Sequence, residues 1–164
     1  MLQKSVHEAL NAQIRHEVYS SYLYLAMSAH CESKNYSGIE KWLKVQRKEE
    51  YGHAMKLFHY VQERGAAVVL QAIDQPPVNF GEPLELFKKV LKHEQKVTGL
   101  ITGLYELATK EMDYPTQFML QWFVTEQVEE EKNVTDIIDQ IVRVGDTPVS
   151  LMMLDRQLGV RASK

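Results

Sequence analysis

Cysteine is almost missing from this chain. Cys31 is the single thiol among 164 residues, so no internal disulfide can form, and no Cys-x-x-Cys pair exists to hold zinc or a rubredoxin-type iron. Glycine and proline are scarce, at 8 and 5 residues, which excludes fibrous and low-complexity classes. No apolar run approaches the ~20 residues that a membrane span requires. The N-terminal stretch MLQKSVHEALNAQ lacks the apolar centre of a signal peptide, so a reducing cytoplasm is the expected compartment, with no membrane partner. Positive charge is not in surplus either. With 19 Lys and Arg against 22 Asp and Glu, the net charge is −3, and bulk electrostatics give no reason to expect nucleic acid as a partner.

What the chain does have is helix signal. The length suits one domain, 1–164, with a sizeable core. Amphipathic segments are expected at about 5–33 and 37–64, separated by the breaker NYSG and stopped at Gly65. The stretch AAVVLQAIDQPPVNFGEP has three prolines and no helical period, so it reads as an extended connection. A third helix is predicted over 83–110. A fourth follows over 114–144, with Asp113 as cap and Pro115 in its first turn, ending at Gly145. Thr147-Pro148 opens a short fifth over 147–158. Four helices of about 40 Å, two short connections and one long one imply an all-α fold, a four-helix bundle with a single long crossover.

The apolar stripes contain residues that do not belong in them. At about 100° per residue, Val6, Leu10, Ile14, Tyr24 and Leu25 fall within ~80° of Glu17. Ile39, Leu43, Leu57, Phe58 and Val61 surround Glu50, with His53 ~60° to one side. Glu94 sits among Phe87, Val90, Val97 and Ile101, and Glu130 among Met119, Phe123, Ile137 and Ile141, with Gln127 and Glu126 close by. A buried carboxylate must be paired, protonated or bound to metal, and the stripes offer almost no cationic partner.

A shift of 77 residues superposes His16-Glu17 on His93-Glu94, and Glu49-Glu50-x-x-His53 on Glu126-Gln127-x-x-Glu130. Glu17 to Glu50 is 33 residues, as is Glu94 to Gln127, so two antiparallel hairpins would deliver their polar groups to one depth. Glu17, Glu50, Glu94 and Glu130 supply four negative charges, which two divalent cations balance, with His53 as a neutral ligand. Mostly carboxylate oxygen with one imidazole suits iron or manganese better than structural zinc. Glu50, nearest the centre of its face, is the natural bridge. Glu49, Glu126 and Glu129, helped by Glu130, stand ready to gather a third cation.

These residues carry a resemblance to the non-haem ferritins of bacteria and archaea, and it covers nearly the whole chain. The bundle pattern of one Glu from each of two helices plus Glu-x-x-His motifs is the general description of such carboxylate sites. The resemblance implies a ferritin-like bundle with a di-iron ferroxidase centre. Glu17, Glu50 and His53 match the first iron site, and Glu50, Glu94 and Glu130 the second, with Gln127 beside it. Glu49, Glu126 and Glu129 match a third site. Tyr24 matches an aromatic residue that can supply an electron, and Trp122 is another possible donor. It also implies a hollow homo-oligomer of 24 subunits that oxidises ferrous iron with dioxygen or peroxide and stores ferric oxyhydroxide. The second half reads Gln127-x-x-Glu130 where bacterioferritins repeat Glu-x-x-His, and Tyr51 stands where they place a haem-ligating Met, so no haem is expected.

Blander readings apply elsewhere. Glu131 and Lys132 fit a solvated face, Trp122 fits core packing, and the five histidines other than His53 fit surface or packing roles. Cys31 fits an inert buried thiol, and Met152 and Met153 fit core or subunit contacts. The apolar fifth helix is expected at a subunit interface. A di-iron or manganese enzyme acting on a small substrate, and an assembly merely stiffened by metal, are the rival functions.

Overall fold

The computed structural model describes residues 2–145 and 147–160. It contains α1 (Lys4–Ser33), α2 (Ser37–Glu63), α3 (Pro83–Lys110), α4 (Tyr114–Val144) and α5 (Pro148–Leu158), and no strand among the described residues. The helices start and stop where the sequence signals stand. Asp113 accepts a hydrogen bond from the Thr116 N–H at 3.2 Å, capping α4 ahead of Pro115. Thr147 caps α5 through the Ser150 N–H at 3.3 Å. Gly65, at φ 70°, ends α2 in the left-handed region that glycine enters without a Cβ clash. Asn35 and Met112 take up positive φ in the other two tight turns, which needs no glycine but stores some strain.

α1 pairs with α2 and α3 with α4, as two hairpins. The crossover between them runs the length of α1. His7 donates to the Ala67 carbonyl at 2.6 Å and Asn11 accepts from the Val69 N–H at 2.7 Å near one end. His30 donates to the Gly81 carbonyl at 2.9 Å near the other, where Phe80 is fully buried. α5 docks on the start of α2. The Asp155 carboxylate accepts from the Ile39 N–H at 2.8 Å and so satisfies an otherwise orphan donor of the α2 N-terminus.

The core is divided in two. One apolar cluster holds Leu23, Met27, Leu43, Phe87, Val134 and Ile137, joined by Leu154 and Leu158 of α5. The other holds Leu10, Ile14, Leu57, Val97, Ile101 and Phe123. On every long helix the change from one cluster to the other falls at the predicted carboxylate level, so a polar layer crosses the bundle at mid-height. One stripe assignment and two core readings fail. Leu25 is 40% exposed, because a 100° wheel places it at the stripe's edge and α1 turns that edge outward. Trp122 is 39% exposed and is not core: its ring lies against His53 at 5.3 Å with the Lys56 ammonium 3.9 Å above it. Met152 and Met153 face outward as well, so they are not core residues.

Candidate metal centre

Each long helix contributes one buried carboxylate to the polar layer: Glu17, Glu50, Glu94 and Glu130 are all at most 2% exposed. They get there because the helices that carry them bury the turns on both sides, and burial of the flanking hydrophobes drags the carboxylates in. Burial pushes the Glu17 carboxyl up to about 8, with Glu50 adding repulsion. Glu50 rises to about 8 through burial and then Glu130, Glu94 to about 8 through burial and then Glu50, and Glu130 to about 7 through burial and then Glu94. The four repel one another as one coupled unit.

Two groups of three side chains come close enough to share a cation: Glu17, Glu50 and His53, and His53, Glu126 and Glu130, each with ligand atoms within 4.8 Å of one another. His53 Nδ1 lies 3.5 Å from Glu50 Oε2 and 4.0 Å from Glu17 Oε2. That Glu17 oxygen is buried without a hydrogen-bond partner among the described residues. Glu17, Glu50 and His53 are thus a group whose ligand atoms could hold a metal ion between them.

Glu94 is held differently. Tyr24 donates its hydroxyl proton to Glu94 Oε1, and Gln127 Nε2 lies 3.3 Å from Oε2. Burial raises the Tyr24 phenol well above its ordinary value, and the Glu94 charge raises it further. Glu49 and Glu126 are half-buried at the rim, and Glu129 is exposed beyond it. Thus Glu126 is brought to His53 and Glu130, while Glu49 and Glu129 belong to neither three-residue group.

Two residues of the layer went unnoticed in the sequence. Gln13 Nε2 donates to Glu17 Oε1 at 2.8 Å, and Gln46 Nε2 donates to Glu50 Oε1 at 3.0 Å and to Glu130 Oε2 at 2.8 Å. The signal was available: each glutamine precedes its glutamate by four residues, one helical turn on the same face. Outside the layer, His93 is held down at about 4 by burial and then by Lys96 and His16, and its Nε2 lies 2.8 Å from Ser20 Oγ. His16 is lowered by burial and then by Arg15 and Lys96.

A bundle with one long crossover, carrying carboxylates from four helices and a Glu-x-x-His imidazole at mid-height, defines the carboxylate-bridged metalloprotein class. Within that class, residues 7–144 match the family model for the ferritin-like domain. The bacterial non-heme ferritin of Staphylococcus aureus (strain USA300) is 38% identical over 161 residues, 98% of this chain and 97% of its own length. That of Bacteroides fragilis (strain 638R) is 41% identical, covering 98% of this chain and all of its own. Among solved structures, an open pore ferritin from the hyperthermophilic archaeon Archaeoglobus fulgidus superposes with a TM-score of 0.97 at 42% identity, over 99% of this chain and 100% of that one. A closed form of the same ferritin, engineered by site-directed mutagenesis, superposes with a TM-score of 0.98 at 41% identity over both full chains. The chain belongs to the ferritin family, and its function is iron storage. No helix among the described residues is long and apolar enough to cross a membrane.

Proposed function

We propose that iron is oxidised inside the bundle before it is stored, so that the protein is a ferroxidase as well as a container. The observation that carries this reading is the orphaned Glu17 Oε2 beside His53 and Glu50, in a layer where four carboxylates face one another. Ferrous iron is the substrate. Glu17, Glu50 and His53 take one ion; Glu50, Glu94 and Glu130 take the second, with Gln127 beside it and Glu50 between the two. Binding two divalent ions offsets four negative charges and releases the protons that burial retains on the carboxyls. Each ferrous ion then loses an electron to dioxygen or peroxide. The oxygen-rich ligand set has one imidazole to hold the ferric product, so the product can leave toward a mineral store.

Glu49 and Glu126 at the rim of the same layer, and Glu129 just beyond it, supply a third, looser station, with Glu130 shared. The grouping of His53, Glu126 and Glu130 supports the idea that cations pass along this edge. Tyr24, hydrogen-bonded to Glu94, is placed to give a further electron. The store is a hollow homo-oligomer of 24 subunits, in keeping with the ferritin family, located in the cytoplasm and without haem.

Aerobic loading with ferrous salt followed by density-gradient sedimentation tests this. The expected result is a large assembly that becomes dense and rust-coloured, at a rate that falls when Glu17 and Glu50 are both replaced by alanine. An unchanged oxidation rate in that variant, with only a lower melting temperature, would show that metal serves the structure alone.

A further inference from the structure

The groove between α1 and α3 carries side chains that the carboxylate layer does not use. Its closed end, a cavity of about 190 Å³, is lined by Arg15, His16 and Tyr19 of α1, Lys96 of α3, and residues 72–74 of the crossover. A wider trough of about 600 Å³ continues from it. The trough shares Tyr19 and Lys96 and adds Lys89 and Lys92, over an apolar floor that includes Leu23, Met27 and Phe80.

Lys89, Lys92 and Lys96 occupy positions i, i+3 and i+7 of α3, one helix face, and span roughly 10 Å. Among the described residues, neither Arg15 nor any of these three lysines forms an ion pair with a carboxylate. Asp74 is the one carboxylate among the described residues lining either cavity. Four cations therefore face one acid, in a chain whose net charge is −3. Surface lysines usually alternate with acids. Unpaired cations converging in a concavity raise the local potential and concentrate anions there. An arginine fork at the closed end can grip two oxygens of one tetrahedral anion, and the lysines beyond it act as point charges. A single small anion would engage only the closed end. The linear spacing of the remaining cations calls for negative charge repeated along a chain.

We propose that this α1–α3 groove binds a phosphate-chain anion, with Arg15 and Lys96 holding one phosphate in the closed end and Lys92 and Lys89 the phosphates that follow. The proposal needs no iron and stands apart from the reading of the carboxylate layer. The chain could be inorganic polyphosphate or the triphosphate of a nucleotide whose ring lies on the apolar floor.

The test is isothermal titration of the assembled, metal-free protein with orthophosphate, tripolyphosphate and ATP. Saturable binding of tripolyphosphate, tighter than orthophosphate and weakened by salt, is expected. ATP binding tighter than tripolyphosphate identifies the nucleotide as the source, and equal or weaker binding identifies the phosphate chain alone. The Arg15→Gln/Lys96→Gln variant should bind about tenfold more weakly or worse, since two charge-assisted contacts are lost. Lys88→Gln/Lys110→Gln removes the same charge elsewhere on α3 and should bind as the native protein does. If Arg15→Gln/Lys96→Gln fails to assemble, Lys89→Gln/Lys92→Gln, on two exposed side chains, takes its place. No saturable binding of any of the three anions, or equal weakening in the control variant, would overturn the proposal. Ferrous oxidation measured on the same variants is a separate readout and decides nothing about it.

Discussion

Gln46 Nε2 lies 2.8 Å from Glu130 Oε2, joining α2 to α4 across the polar layer, while the same amide reaches Glu50 at 3.0 Å. One neutral donor therefore steadies two carboxylates that repel each other. Replacing it with an isosteric apolar group removes the steadying bonds without adding charge. Gln46→Leu should weaken ferrous binding by about tenfold, as loss of a partner behind metal ligands does. Anaerobic ferrous titration checks this, and native affinity would mean that Gln46 only fills space.

The raised carboxyls set a pH dependence for the metal-free protein. Glu17, Glu50 and Glu94 titrate at about 8 and Glu130 at about 7 in the folded bundle, against 4.5 for the ordinary carboxyl. The folded state thus binds more protons than the unfolded chain between about pH 4.5 and 8, and stability contributed by these groups falls as pH rises through that window. Thermal melts of the metal-free protein should show Tm declining from pH 5 to pH 8. A divalent ion should flatten the decline, because it takes the place of the protons. A rising Tm over the same range would contradict the burial of these groups.

Tyr24 donates to Glu94 from inside the core, where its phenol is held well above its ordinary value and stays protonated. Tyr24→Phe removes the hydrogen bond behind Glu94 but no ligand, so anaerobic ferrous binding should weaken, as for Gln46→Leu, without losing a site. Rapid-freeze electron paramagnetic resonance after aerobic mixing should show a phenoxyl signal in the native protein and none in the variant. The same signal in both would move the electron source elsewhere, Trp122 being the next aromatic ring beside His53.

Gly38 is required by the docking of α5. A Cβ added there would lie 1.6 Å from the Asp155 carbonyl oxygen, a backbone atom that cannot rotate away. Gly38→Ala should push α5 from the start of α2 and remove the Asp155 cap on Ile39, costing about 2–3 kcal/mol. Chemical denaturation measures the loss, and Gly52→Ala, with open space around its Cβ, is the control.

Much of this molecule was legible in the chain itself. Helix limits came out within a residue or so, because caps, prolines and breakers act locally. Glu17, Glu50, Glu94 and Glu130 announced themselves as acids inside apolar stripes, and the equal spacings Glu17–Glu50 and Glu94–Gln127 put the polar groups of both hairpins at one depth. Periodicity could not see what depends on neighbours. It put Leu25 inside, although that residue lies at the stripe's edge, where the packing of another helix decides exposure.

The sequence by itself determined which elements form and which faces they bury, since local backbone preference and side-chain period need no partner. Only the tertiary structure decided that Gln46 serves two helices, that Tyr24 finds Glu94 from 70 residues away, and that Asp155 caps a helix 116 residues upstream. Those links are directional bonds a few ångströms long between residues distant in the chain, and they exist only once the apolar faces have packed and fixed the helices against one another.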